Sequence, residues 1–301
     1  MKNTKGLLND LENSRSHMEE HLNMVKGKAK TISGFVFPAY ESEPVFFGRY
    51  IRKEYSVEMY VLHGEGSCVI PLLLFVPDSC KKTAAIIYLN PEGKNADSSP
   101  GGKIEQLVKK GIIVAAPDLS GIGETKNMGG RYEHAVDYAT VLIGRSLSGI
   151  RAGDIIRVSE FLKTMGNVNA SEIGAVATGE LCPALLHAAA FDQSIKYSIL
   201  LQSPVSYKSV VMNPFYKVNF SCTVPGALMG YDLPDLIGCI SPRKVVLEDI
   251  KDQMLEPATP ELISRELEFP RKVYSSGKVS ENLRIITSND SLDSIVEWCI
   301  K

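Results

Sequence analysis

From residue 84 to the end of the chain, short apolar runs alternate with helical stretches, and this rhythm restricts the fold more than any other feature. The runs cover 84–89, 112–116, 173–177, 197–201, 244–247 and 283–287. They are apolar without alternation, as strands buried on both faces of a sheet must be. Helical patterns lie between or after them at 104–110, about 148–165, 182–190 and 291–300. Repeated βα units predict a mostly parallel sheet, reached by right-handed crossovers and covered by helices on both faces: a three-layer α/β fold. Ahead of them, 56–62 and 68–76 predict a hairpin around His63-Gly64-Glu65-Gly66. Residues 31–55, with Gly34, Pro38 and Pro44, read as irregular. Leu7, Leu8, Leu11, Met18, Leu22 and Val25 form an imperfect helical stripe, so a helix or helix pair opens the chain. Residues 203–242 read as an irregular excursion with helical stretches, and Trp298 in the closing helix as buried.

Bulk properties remove several function classes. The 301 residues are 44% hydrophobic and carry a net charge of -2. A core of good size can form, and nothing resembles a polybasic nucleic-acid or membrane patch. The densest basic run, Lys26-Gly27-Lys28-Ala29-Lys30, reads as a solvated helix end. No apolar stretch is long enough to span a bilayer. Residues 1–10 are polar without the apolar region of a signal peptide, and since a trimmed leader gives the same picture, the compartment stays open. Six cysteines are scattered with no C-x-x-C pair and no metal-ligand spacing, so buried free thiols are expected, with no cofactor or metal.

The segment Pro117-Asp118-Leu119-Ser120-Gly121-Ile122-Gly123-Glu124-Thr125 resembles the D-x-x-G-x-G-E-T turn of α/β-hydrolases, most closely the acetyl xylan esterase and dienelactone-hydrolase-like group. Further matches follow in order: Gly144-Arg145-Ser146-Leu147-Ser148-Gly149 with Asp154, the segment 172–192, Val224-Pro225-Gly226, Tyr231 to Leu236, and Ser241-Pro242-Arg243. The resemblance covers about residues 60–290 and implies an α/β-hydrolase fold. Residues 1–45 are then an N-terminal helical extension and 46–301 an α/β-hydrolase-like domain.

In this fold a nucleophile occupies the centre of G-x-S-x-G on a sharp strand-to-helix turn. The resemblance puts that position at Gly179, between Ala177 and Leu181, in Ala177-Thr178-Gly179-Glu180-Leu181-Cys182-Pro183. Glycine has no group to attack a carbonyl. Glu180 takes the place whose amide would bind an oxyanion, and its carboxylate opposes such a charge. Leu181 is bulky where a glycine is usual. Thr178 is one residue early and β-branched. Cys182 is a weak alternative nucleophile, because Pro183 after it has no amide to offer.

The acid position falls on Asp252, with Asp249 as runner-up; a surface loop carboxylate is the competing reading. The base position, 286–292, has no histidine, and none of the five (His17, His21, His63, His134, His187) lies beyond 187. His134 is the one expected near the upper rim, although a lone loop histidine is more often solvated or structural. His187 reads as a packed helix residue. Lys94, Glu180, Ser203, Tyr207 and Asp252 map to the carboxyl ends of the strands, where such sheets bind ligands, and are candidates for a ligand cleft. Tyr207 and Tyr231 suit either stacking on a sugar or the core. The sequence therefore supports a non-catalytic binding or scaffolding protein, with carbohydrate or a partner hydrolase as candidate partners. The alternatives are an active carboxylesterase or carbohydrate deacetylase with an unusual site, or part of a longer hydrolase.

Overall fold

Along residues 85–89 the side chains split by parity, and this splitting builds the layers. Ala85, Ile87 and Leu89 enter one hydrophobic cluster, Ile86 and Tyr88 another, and all five are buried. The computed structural model describes residues 3–39, 43–78, 81–126, 135–286 and 290–301. Among these, nine strands form one sheet: β1 (Val45–Ile51), β2 (Tyr55–His63), β3 (Val69–Pro77), β4 (Thr83–Leu89), β5 (Ile113–Pro117), β6 (Val168–Thr178), β7 (Tyr197–Leu201), β8 (Lys244–Glu248) and β9 (Leu283–Ile286). Their order is β1-β2-β3-β5-β4-β6-β7-β8-β9. β1, β2 and β3 pair antiparallel, and β3 is antiparallel to β5, whereas β4 to β9 pair parallel. The chain leaves β4 for β5 on one side and returns to β6 on the other, which opens a switch point at their carboxyl ends.

Two helices open the chain, α1 (Thr4–Arg15) and α2 (Met18–Ser33), as the stripe predicts. Then come α3 (Lys103–Lys109), α4 (Ala135–Leu142), α5 (Leu147–Thr164), α6 (Cys182–Phe191), α7 (Tyr207–Val211), α8 (Leu233–Ile240), α9 (Pro260–Glu266), α10 (Glu268–Ser276) and α11 (Leu292–Ile300). Ile104, Leu107 and Val108 of α3 pack with Ile295 and Val296 of α11 on one face. Helices α5, α6 and α8 cover the other, and Leu8, Leu11, Val25 and Ala29 of the opening helices join that same cluster. No helix among the described residues is long and apolar enough to cross a membrane.

Three readings need correction. Residues 45–51 form the edge strand β1 rather than irregular chain; a bulge between Phe46 and Gly48 breaks the alternation that would have marked it. Trp298 is half-buried rather than buried, with the Arg284 guanidinium 3.6 Å and the Lys244 ammonium 4.7 Å from its ring centre. Four cysteines are buried, but Cys68 is exposed, and Cys80 lies outside the described residues.

Candidate active site at the strand-to-helix turn

Strand β6 ends at Thr178, and Gly179–Leu181 make one tight turn before α6. Pro183 sits in the first turn of α6 without loss, because the first amides of a helix have no internal partner. Gly179 has φ 56°, in the left-handed region that favours glycine, and a Cβ built there would meet no atom within 4 Å. The turn thus has the sharp backbone of a nucleophile elbow and room for a side chain, and carries none. Glu180 is half-buried, its Oε2 3.5 Å from Ser221 Oγ. Its charge acts on Arg151, which is buried, with Nε donating to the Ser120 carbonyl at 3.0 Å. Burial holds this guanidinium below its ordinary pKa, against the opposing pull of Glu180 and Asp137. Leu181 is buried in the core.

The alternative nucleophile is sealed in. Cys182 is fully buried, with Sγ 3.2 Å from the Ala177 carbonyl and 3.4 Å from that of Leu201. Burial pushes its thiol up, away from the thiolate that would react.

Lys94 does not face an open cleft. Its Nζ lies 2.7 Å from Asp118 Oδ2 and 2.5 Å from Glu124 Oε1, and its backbone amide donates to Asp118 Oδ1 at 2.6 Å. Gly93 and Gly123 both have positive φ, and a Cβ on either would run into the Asp118 carboxylate. Lys94 is therefore a lock between the loops after β4 and β5.

Ser203 and Tyr207 are corrected in the same way. Both are buried, Ser203 Oγ donating to the Pro204 carbonyl at 3.1 Å and Tyr207 Oη to the Cys222 carbonyl at 3.1 Å. Tyr231 is also core rather than a sugar platform, with its hydroxyl 2.7 Å from His187 Nε2.

The loop carrying the expected acid does lie beside these residues. Lys251 N donates to Ser203 O, and Val205 N to Lys251 O, both at 2.9 Å. Asp252 spends Oδ1 on the amides of Met254 at 2.8 Å and Glu256 at 3.0 Å, so it closes its own turn. Asp249 pairs with Lys251 at 2.9 Å. His134 lies outside the described residues.

His187 is a core residue, as the sequence suggests. It donates from Nδ1 to the Pro183 carbonyl at 2.6 Å and accepts the Tyr231 hydroxyl at Nε2. Burial lowers its pKa to about 4, partly offset by the bond to Pro183.

One constellation has no signal in the sequence. Ser14 Oγ lies 2.8 Å from His21 Nδ1, and His21 Nε2 lies 3.0 Å from Asp235 Oδ1: a serine, a histidine and a carboxylate in series. The residues come from α1, α2 and α8, and 214 positions separate His21 from Asp235. Arg15 also clamps Asp235 through Nε at 2.8 Å and Nη2 at 2.9 Å. Burial alone would raise the Asp235 pKa, but the bonds from His21 and Arg15 outweigh it and hold the carboxyl below its usual range.

Solved structures with the same architecture are numerous. A candidate acetyl xylan esterase from Bacteroides fragilis superposes with a TM-score of 0.75 at 18% identity, over 98% of this chain and 84% of its own. A glucuronoyl esterase from Solibacter usitatus gives 0.63 at 12% identity, over 92% of this chain and 90% of its own. An acetyl xylan esterase from Paenibacillus sp. R4 gives 0.58 at 13%, over 96% and 90%. The chain has the α/β-hydrolase fold. No family model matches the sequence, and no curated protein matches it. At these identities the likeness carries the α/β-hydrolase fold and assigns no residue a role.

Proposed function

We propose that this chain is a non-catalytic α/β-hydrolase-fold protein, a binding or scaffolding module. In this reading residues 1–45 are a helical extension fixed to the domain 46–301. The observation that carries the reading is Gly179: a sharp left-handed turn with open space above it and no nucleophile on it. The sealed Cys182 and the neutral, core-bound His187 support it. Without a nucleophile and a base to activate it, acyl transfer has no covalent route through this turn. Carbohydrate enters as a candidate partner because two of the neighbours are named for acetyl xylan and another for glucuronoyl esters. A partner hydrolase is the other candidate.

The test is hydrolysis of p-nitrophenyl acetate and acetylated xylan by the protein and its Gly179→Ser and Cys182→Ala variants. The expected result is no turnover above buffer in any of them, since a serine at 179 still has no base. Turnover by the unmodified protein that disappears in Cys182→Ala overturns the reading.

A second reading, an active carboxylesterase or deacetylase with an unusual site, is favoured by the Ser14–His21–Asp235 series. Against it, the His21 ring is fully buried, and Arg15 already neutralises the carboxylate that would have to stabilise an imidazolium. Intact mass after treatment with a fluorophosphonate separates the two. An adduct that is lost in Ser14→Ala supports the enzyme, and an unmodified chain supports the binding module.

A further inference from the structure

Strand β1 (Val45–Ile51) ends the sheet. It pairs with β2 on one side, and among the described residues no strand or bridge meets its other side. An edge strand presents backbone N–H and C=O groups that can pair with a further strand, and proteins blunt such edges with proline, bulges and charges. Here Pro44 and the bulge between Phe46 and Gly48 guard only the first half. From Gly48 to Ile51 the register with β2 is regular, with Gly48 opposite Met59 and Ile51 opposite Ser56. The one charge of the strand, Arg49, is taken by Glu58 of β2. The rest of the edge shows apolar and aromatic side chains to solvent. Phe47 is 68% exposed, Tyr50 65% and Ile51 83%, and Val45 and Phe46 are half exposed. Tyr50 and Ile51 are consecutive, so this surface lies on both faces of the edge.

The five side chains offer on the order of 500 Å² per copy, a patch of the size that marks an interaction site on a monomer. Two such patches with the backbone between them reach about 1,000 Å² in total, where specific interfaces begin. Charge selects the partner. Glu43 before the strand and Lys53 after it are exposed, and neither has an ion-pair partner among the described residues. An antiparallel copy of the same strand sets Glu43 of each chain beside Lys53 of the other, and a two-fold axis makes that contact twice. A parallel copy would set like charges side by side.

We propose that β1 is a self-association edge: two copies pair their β1 strands antiparallel about a two-fold axis and join the two nine-stranded sheets into one. The interface is independent of the proposed loss of catalysis, because its readout is mass. Sedimentation equilibrium of the whole protein from about 1 to 100 μM tests it. The average mass is expected to rise from that of one chain to that of two. Ile51→Lys puts a charge on the edge at an exposed position and is expected to stay monomeric throughout that range. Glu43→Lys and Lys53→Glu are each expected to weaken the dimer about tenfold, since each turns an attraction made twice into a repulsion. The double variant, with the charges exchanged, is expected to recover the affinity of the unmodified protein. A single-chain mass at 100 μM, a dimer that persists unchanged in Ile51→Lys, or a double variant no tighter than the two single ones would each overturn the proposal. The charge exchanges, at exposed positions outside the strand, decide the matter even if Ile51→Lys fails to fold.

Discussion

At Gly179 the backbone, and not the surrounding space, sets the cost of a side chain. Gly179→Ala is expected to lose about 1 kcal/mol, the penalty of a left-handed alanine without a clash. Gly174, five residues earlier, is the converse: a Cβ there would run into the Tyr197 ring, so Gly174→Ala is expected to lose about 3 kcal/mol. Denaturant midpoints of the two variants check both values. His187 gives a pH prediction. Its folded pKa of about 4 lies below the unfolded value, so between pH 6.5 and 4 the unfolded chain binds a proton that the folded chain does not. Stability is therefore lost as pH falls through that window. Asp232, pushed up to about 6 by burial and by Asp235, acts in the opposite sense, so the His187 contribution has to be read as a difference. His187→Gln is expected to be less stable than the unmodified protein by about 2 kcal/mol at pH 7, with the gap narrowing toward pH 4. A constant gap contradicts a neutral, buried imidazole. At this scale, the departure of residues 177–181 from G-x-S-x-G and the lack of a histidine beyond 187 are legible in the sequence because they are matters of identity and order. The partners of Lys94, Tyr207 and His21 are not, since each depends on contacts between distant segments.

Among the elements, the N-terminal helices are fastened to the domain by a buried polar cluster. Asp235 opens α8 and meets Arg15 at the end of α1 and His21 in α2, all three within a buried or nearly buried cluster. Arg15→Met removes the main compensation of a fully buried carboxylate and is expected to cost about 3 kcal/mol, with partial recovery in Arg15→Lys, measured by chemical denaturation. The strands from β4 to β8 and the helices α5, α6 and α11 are legible because a buried parallel strand and an amphipathic or apolar helix each leave a continuous pattern. β1 is not, because Pro44, Gly48 and the bulge interrupt its period. Helices α9 and α10 also escape a pattern reading, as they are short and meet end to end at Leu267. Their apolar residues, Ile263, Phe269, Val273 and Tyr274, acquire meaning through the sheet and α8 against which they pack.

Over the whole molecule, the sheet order brings the loops after β4 to β8 to one edge, where an α/β-hydrolase would work. The residues at that edge bind one another: Lys94 to Asp118 and Glu124, Ser203 to the backbone, Asp252 to its own turn. The proposed recognition module rests on these internal bonds within an architecture shared with esterases. In such a module no residue forms an acyl intermediate. The direct measurement is rapid mixing of the protein with p-nitrophenyl acetate at concentrations comparable to its own, following the first turnover. An acyl-enzyme gives a burst of p-nitrophenolate equal to the number of working sites. The expected result is no burst and a linear release matching buffer. A burst approaching one per chain, abolished by Ser14→Ala or Cys182→Ala, would contradict it.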